Sequence, residues 1–315
     1  MRKWLPEELE EIPCDFCGSR EVAREFIRAD GMRVVECAIC GLAYLNPRPR
    51  AELIPEFYKK DYFTGASAER GEGGLKLNLD VSDSASDQNQ KSIPRPIAII
   101  NEKFGGFKGK RVLEIGCATG DLLHRIQIEG ASVKGLEISD FAADVARRRG
   151  LDVTTGTVEE FAPKNKEKFD IVLALEVIEH VLSPTSFFEH ASRLLKPGGL
   201  LLISTPNYAC VKRFRDSWIG FNMSFEHIYF YSFDALKKMM AKEGLVNSYM
   251  ETSKYLGAGR KGGIIERQTE RVRTIAFFTG EIGLLRTLAA LFMRHKGRYP
   301  YTLGHTLFGA FVKKV

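Results

Sequence analysis

The stretch Arg111-Val-Leu-Glu-Ile-Gly-Cys-Ala-Thr-Gly120 decides the fold of this 315-residue chain. An apolar run carrying one carboxylate passes through a glycine-rich turn into Asp121-Leu-Leu-His-Arg-Ile, which has the apolar spacing of an amphipathic helix. A strand ending at Ile115 would aim its last backbone groups into a crevice. Gly116 and Gly120 let the backbone approach a ligand closely, and the helix that follows offers N–H groups it cannot use itself. Glu114 puts a negative charge at this turn, where a phosphate-binding loop would avoid one. The expected ligand is therefore cationic or zwitterionic rather than a pyrophosphate.

A second acid, Glu137, closes the next apolar strand, Ala131-Ser-Val-Lys-Gly-Leu-Glu-Ile. It lies 21 residues after Gly116, the spacing at which an acid in a βαβ unit reaches the two hydroxyls of a ribose. Taken alone, the turn also fits a nucleotide fold holding another ligand. With the second acid and the downstream pattern, Val112-Leu-Glu-Ile-Gly-Cys-Ala-Thr-Gly120 resembles the first motif of the class I S-adenosylmethionine (SAM) dependent methyltransferases, with Ala118 at the middle glycine position. The resemblance implies an α/β fold with a Rossmann-like seven-stranded sheet. It also implies cofactor contacts at Glu114, Gly116, Cys117, Gly120, Glu137, Ile138, Thr157, Val158, Leu175 and Glu176.

The likeness runs from about residue 110 to 207. A helix over Asp140-Phe-Ala-Ala-Asp-Val-Ala-Arg-Arg-Arg is stopped by Gly150. A short strand near Leu151–Val153 leads to the turn Gly156-Thr-Val, which in the family borders the adenine. The family often has an acid where this chain has Thr157, and Val158 is placed to pack on the ring. Phe169-Asp-Ile-Val-Leu-Ala-Leu is a near-continuous apolar run of the kind found in central parallel strands. Leu194-Leu-Lys-Pro-Gly-Gly closes a helix and opens the fifth strand. Leu245 onward and His305–Lys314 read as the sixth and seventh.

Six cysteines and no apolar signal core at the N-terminus make disulfides the weaker reading. Cys14-x2-Cys17 and Cys37-x2-Cys40 have the spacing of a four-thiolate structural zinc site. Gly18 and Gly41 follow the second cysteine of each pair, where a tight turn aims N–H groups at sulfur. The chain divides into a zinc ribbon and connecting helix over 1–64, a polar linker or lid over 65–92, and a methyltransferase domain over 93–315. A basic, partly apolar excursion interrupts this last unit at about 257–300. Asp30-Gly31 is expected to turn a hairpin within the ribbon.

A hydrophobic content of 44% is ordinary for a globular protein, and no run of about 18 apolar residues is present to span a membrane. The net charge of +6 is uneven: residues 254–315 hold twelve Lys/Arg and three Asp/Glu, a local +9 that leaves −3 for the rest. That pattern fits a solvated basic face, or contact with an anionic acceptor or with the inner membrane surface by a cytoplasmic protein. It gives no strong nucleic-acid signal.

Methylating a hydroxyl requires the acceptor in line with the C–S bond and a base for its proton. His227, with Glu226 beside it, is the best candidate, and a histidine base is expected to titrate near neutrality. A histidine that only fixes its loop is the competing reading. His180, with Glu176 and Glu179, follows the fourth strand and fits a base, a pocket wall or a polar residue at a helix start. Glu179-His180 also hints at a divalent metal. Tyr62 lies on the segment that would fold over the cleft, or is a core aromatic.

The ribbon, Asp61-Tyr-Phe63, the core and Glu226-His227 together resemble bacterial methyltransferases with an N-terminal zinc ribbon, many of them associated with sugar or polysaccharide synthesis. In those sugar enzymes a Glu-His pair serves the site. The tyrosine they carry three residues before the histidine is Ser224 here. The implied reaction is methylation of a hydroxyl on a sugar, glycan precursor or related small metabolite. An RNA or protein methyltransferase, and a non-catalytic SAM-binding protein, are the alternatives.

Overall fold

The computed structural model describes residues 4–58, 60–65, 94–222, 226–253, 298–299 and 305–315. Ser224, the polar segment 65–92 except Gly65, and the 257–300 excursion except Arg298–Tyr299 lie outside the described residues.

The N-terminal part is built of short strands. β1 (Leu9–Glu10) pairs antiparallel with β5 (Arg48–Pro49). β2 (Val22–Ile27) and β3 (Arg33–Cys37) form the hairpin expected around Asp30-Gly31, and β4 (Ala43–Leu45) adds to β3. A 3-10 helix (Ala51–Tyr58) and a short α-helix (Lys60–Thr64) then lead toward the main sheet.

That sheet takes strands in the order β13-β12-β14-β10-β9-β6-β7-β8. They are β6 (Arg111–Ile115), β7 (Ser132–Glu137), β8 (Val153–Thr155), β9 (Phe169–Leu175), β10 (Leu195–Pro206), β12 (Leu245–Ser253), β13 (Arg298–Tyr299) and β14 (Thr306–Lys313). The five from β8 to β10 run parallel, and β14 and β12 close the edge antiparallel. The seven expected strands are all present. The two-residue β13 extends the edge to an eighth. β8 begins at Val153 rather than Leu151, because Leu151 is held in the turn after the helix by an N–H bond to Ala146 O.

Position in the sheet explains composition. β6 and β9 are covered on both faces and bury nearly every residue, which is why they read as continuous apolar runs. The helix Asp140–Arg148 turns Ala142, Ala143, Val145 and Ala146 inward, and its N-terminus is capped by Ser139.

The remaining short strand, β11 (Tyr229–Phe230), pairs antiparallel with β4 of the N-terminal part, Tyr229 opposite Tyr44. Its position completes a four-stranded sheet, β11-β4-β3-β2. One hydrophobic cluster runs through both parts: Cys14, Val35, Leu42 and Tyr44 pack in the same continuous core as Leu113, Ala174 and Ile203. The segment bearing Glu226 and His227 therefore lies where the N-terminal part meets the main sheet.

Candidate active site

The turn after β6 is held open by two constraints. A Cβ on Gly116 would meet Val177 Cγ2 at 2.5 Å, so the close approach requires glycine. Ala118, at the position where the family has a second glycine, takes the left-handed conformation with φ 48°. Its N–H donates to Glu137 Oε2 at 2.8 Å, while Glu137 Oε1 accepts from Ser139 N at 2.9 Å. The acid after β7 thus ties the glycine turn to the next helix and keeps its remaining lone pairs for a ligand. Burial raises the Glu137 carboxyl above its ordinary range, and these backbone donors pull it back.

Glu114 is buried with Oε2 unpaired among the described residues. Burial, then the charges of Glu137 and Asp121, push it up to about 8. A buried acid in this condition favours a cation arriving beside it.

The other cofactor candidates divide. Cys117 turns its sulfur into the core with Leu123, Ala143, Ala146, Leu151 and Val153, so only its backbone faces the turn. Thr157 uses its hydroxyl to accept from Glu160 N at 3.3 Å, capping the helix Val158–Phe161, while Val158 is buried behind it. Ile138 is 40% exposed on the rim beside Glu137. Leu175 ends β9, and Glu176 follows with φ 53°, its Oε1 accepting from Ser204 Oγ at 2.7 Å. Two non-glycine residues in the left-handed region, Ala118 and Glu176, therefore stand at the ends of adjacent strands.

Beyond the end of β9, the structure brings His180, His227 and Glu179 together. The imidazole centroids lie 4.7 Å apart at 73°. Glu179 Oε1 is 3.9 Å from His180 Nε2 and 4.0 Å from His227 Nε2. Both Glu179 oxygens, His180 Nδ1 and His227 Nδ1 are buried and make no well-aligned hydrogen bond among the described residues, although the Thr205 side chain acts on Glu179, the Glu226 backbone on the His180 ring and the Gly220 backbone on the His227 ring. Burial drives the Glu179 carboxyl well above its usual range, helped by the charge of Glu176. Burial also pushes His180 down to about 4 and takes His227 well below the histidine range, with the charges of His180 and Arg28 adding to the latter. The expectation that His227 titrates near neutrality is therefore corrected: desolvation keeps its ring neutral. His180 does not start a helix. It sits in a turn, its N–H on Val177 O, and the next helix begins at Pro184 behind its cap Ser183.

Tyr62 is buried and donates its hydroxyl to Glu226 Oε1 at 3.1 Å. Tyr58 packs edge-on against both Tyr62 and His180. Burial and the charges of Glu226, Glu179 and Glu137 hold the Tyr58 hydroxyl protonated. Tyr58 and Tyr62 therefore stand against the His180 ring and the Glu226 carboxyl. Tyr58 and Glu179 join the site only in the folded chain, Tyr58 from the connecting helix and Glu179 from the turn beside His180. The aromatic spacing of Tyr58 and Tyr62, one helical turn apart, was the available signal.

At the N-terminal end, the Sγ atoms of Cys14, Cys17, Cys37 and Cys40 all lie within 4.8 Å of one another. The Cys14–Cys40 and Cys17–Cys37 separations are 3.4 and 3.5 Å. A tetrahedron of Zn–S bonds of about 2.3 Å sets its sulfurs about 3.8 Å apart. All four thiols are free, and each knuckle is turned by a glycine N–H bonded to the first cysteine's carbonyl, Gly18 on Cys14 and Gly41 on Cys37. The four residues fit a zinc ion.

The strand order of this sheet, with the glycine turn after β6 tied to the acid that ends β7, is that of the class I SAM-dependent methyltransferase fold. A family model described as a methyltransferase domain matches residues 89–249, and the chain belongs to that family. Among curated proteins it is similar to a ubiquinone biosynthesis O-methyltransferase of Klebsiella pneumoniae, 39% identical over 120 residues, covering 36% of this chain and 50% of the relative. A protein of the same name from Escherichia coli is 36% identical over 141 residues, covering 43% of this chain and 57% of the relative. The chain thus spans about half the length of the curated relatives it matches. Among solved structures it is similar to magnesium protoporphyrin IX methyltransferase from Synechocystis with bound SAM. That match has a TM-score of 0.49 at 14% identity and covers 84% of this chain and 96% of the other. No helix among the described residues is long and apolar enough to cross a membrane.

Proposed function

We propose that the chain transfers the SAM methyl group to a hydroxyl oxygen of a small-molecule acceptor, with His227 taking the hydroxyl proton. The observation that carries this reading is a buried His227 whose ring lies 4.7 Å from that of His180 and whose Nε2 faces Glu179 at 4.0 Å. SAM supplies an electrophilic methyl on a sulfonium. Glu137 holds the ribose hydroxyls, Glu114 and Glu176 set negative charge near the positive end, and the Gly156-Thr157 turn borders the adenine. With its ring neutral, His227 offers a nitrogen lone pair to the hydroxyl proton, and the imidazolium that forms favours ionisation of Glu179, 4.0 Å from Nε2. Tyr62 fixes Glu226 on the same side. The Cys14, Cys17, Cys37, Cys40 set holds a structural zinc that orders the ribbon.

Two observations bear on the acceptor. The whole-chain pattern resembles zinc-ribbon enzymes that methylate sugars or related metabolites, and the curated relatives are named for ubiquinone biosynthesis. A small hydroxyl acceptor is common to both, and the sugar or glycan-precursor hydroxyl is the finer proposal. The division into 1–64, 65–92 and 93–315, a cytoplasmic setting, and contact of the basic 254–315 region with an anionic acceptor or membrane surface belong to the same reading.

A second reading of the same pocket is favoured by one geometry. Glu179, His180 and His227 each offer a ligand atom, and these atoms lie within 4.8 Å of one another. A divalent cation held there would lower the pKa of a hydroxyl bound to it. His227 would then be a ligand rather than the base. Incubating the chain and labelled SAM with separated sugar, phenolic, RNA and protein acceptors, with and without a chelator, tests both. Label in a small hydroxyl compound supports the function. Label confined to RNA or protein overturns it, and loss of rate on chelation while metal analysis shows the cysteine-bound zinc retained selects the cation reading.

A further inference from the structure

The hairpin turn between β2 and β3 reaches into the acceptor side of the site. Arg28, which follows the last residue of β2, is 2% exposed, and its guanidinium side chain is completely buried. Its Nη1 donates to the carbonyl of His227 at 2.9 Å, across 199 residues of chain. The guanidinium is aimed by Asp30: Nε donates to Asp30 Oδ1 at 3.1 Å, and Nη2 pairs with Oδ2. Asp30 is fixed in turn by accepting from Met32 N at 3.1 Å. A planar, forked donor is the side chain suited to bridging a carboxylate and a carbonyl in one geometry.

The backbone around His227 is clamped from both sides. From the ribbon, Arg28 holds the His227 carbonyl and Leu45 N–H holds the Ile228 carbonyl at 2.9 Å. From the turn that follows β9, the Glu179 carbonyl accepts from Ile228 N at 2.7 Å and Tyr229 N at 3.0 Å. Two of these four bonds come from the ribbon, so the placement of the imidazole depends on it.

We propose that Arg28 is a positioning residue: the buried Arg28–Asp30 pair of the ribbon hairpin sets the place of His227 on the acceptor side of the methyltransferase site. The ribbon is then a working part of the site as well as a fold element. This inference rests on His227 serving the acceptor side.

The test reads the position of His227 without an acceptor. The chain has six histidines, so selective nitrogen-15 labelling of histidine gives a sparse ring spectrum. The full-length protein saturated with S-adenosylhomocysteine is compared with Arg28→Met, Arg28→Lys and Asp30→Asn, and the His227 signal is assigned by its loss in His227→Gln. The expected result is a shifted or doubled His227 signal in Arg28→Met and Asp30→Asn, with a smaller change in Arg28→Lys. His124 and His190, outside this contact, stay in place, and affinity for S-adenosylhomocysteine stays within about twofold of the parent. An unmoved His227 in Arg28→Met overturns the inference. So does movement of His124 and His190 along with it in all three variants, which would make Arg28 a residue of the general fold. Failure of His227 as a base is read separately, by turnover of His227→Ala.

Discussion

Ala118 donates its backbone N–H to Glu137 Oε2 at 2.8 Å, so the acid expected to hold the ribose also sets the conformation of the glycine-rich turn. The two motifs that bracket the cofactor are one hydrogen-bonded unit. This explains how an alanine is tolerated at φ 48°, a conformation that costs a non-glycine residue about 1 kcal/mol or more.

Replacing Glu137 therefore removes two things at once. Glu137→Ala is expected to weaken SAM binding by about 1–3 kcal/mol through loss of charge-assisted bonds. Glu137→Gln keeps one acceptor oxygen and should lose less. Titration calorimetry checks the order, and an unchanged affinity in Glu137→Ala would remove this residue from the site.

Glu114 predicts a pH dependence with a definite sign. Its carboxyl is raised from 4.5 to about 8 in the folded, ligand-free chain. Across that interval the folded state holds a proton that the unfolded state has released, so this group lowers stability progressively as pH rises from 4.5 to 8. A cation bound beside it favours the ionised form. Below pH 8 SAM binding should release a proton, and affinity should rise with pH toward 8. Calorimetry in buffers of different ionisation heat measures the proton, and a heat independent of buffer contradicts the assignment.

His227→Ala is expected to cut turnover about 100-fold or more while SAM affinity stays near normal. Because burial holds the ring's ionisation well below 6.5, the neutral base is already fully populated at neutrality. The rate should be flat from about pH 6.5 upward, and its acid limb should fall below the ordinary histidine range. A limb centred near neutrality would show that the ring is solvated during turnover.

The cysteine set predicts one zinc per chain by metal analysis. Cys37→Ser should lose the metal and destabilise the ribbon. Since β4 of the ribbon pairs with β11 beside His227, acceptor turnover should fall with it, while SAM affinity, which depends on β6 and β7, should fall much less. Zinc-free protein with oxidised thiols would overturn the metal reading.

Much of the fold was legible because its signals are local. The glycine turn, the apolar runs of β6 and β9 and the hairpin at Asp30-Gly31 each declare themselves within about ten residues. The acid that closes β7, Glu137, was placed by its spacing from Gly116, and the structure ties it to the turn through the Ala118 N–H. What could not be read is what depends on long-range packing. Arg28 looks like any charged residue near a hairpin turn, and only the β4–β11 pairing brings it to His227. The ionisation of His227 was misjudged for the same reason: its depression comes from burial beneath residues more than 40 positions away, including His180 and Arg28. Thr157, taken as a cofactor contact, has its hydroxyl engaged by the capping box with Glu160, whose spacing was visible in Thr157-Val-Glu-Glu160.

Methyl transfer to a hydroxyl oxygen of a small acceptor is tested most directly with SAM carrying a carbon-13 methyl group. The protein is incubated with a fractionated metabolite extract, and the carbon spectrum of the material passing an ultrafiltration membrane is recorded. The predicted result is an enriched methyl ether signal in the small-molecule fraction, strongly reduced with His227→Ala. Enrichment retained on protein or RNA, or a methyl signal bonded to nitrogen or carbon, would contradict it.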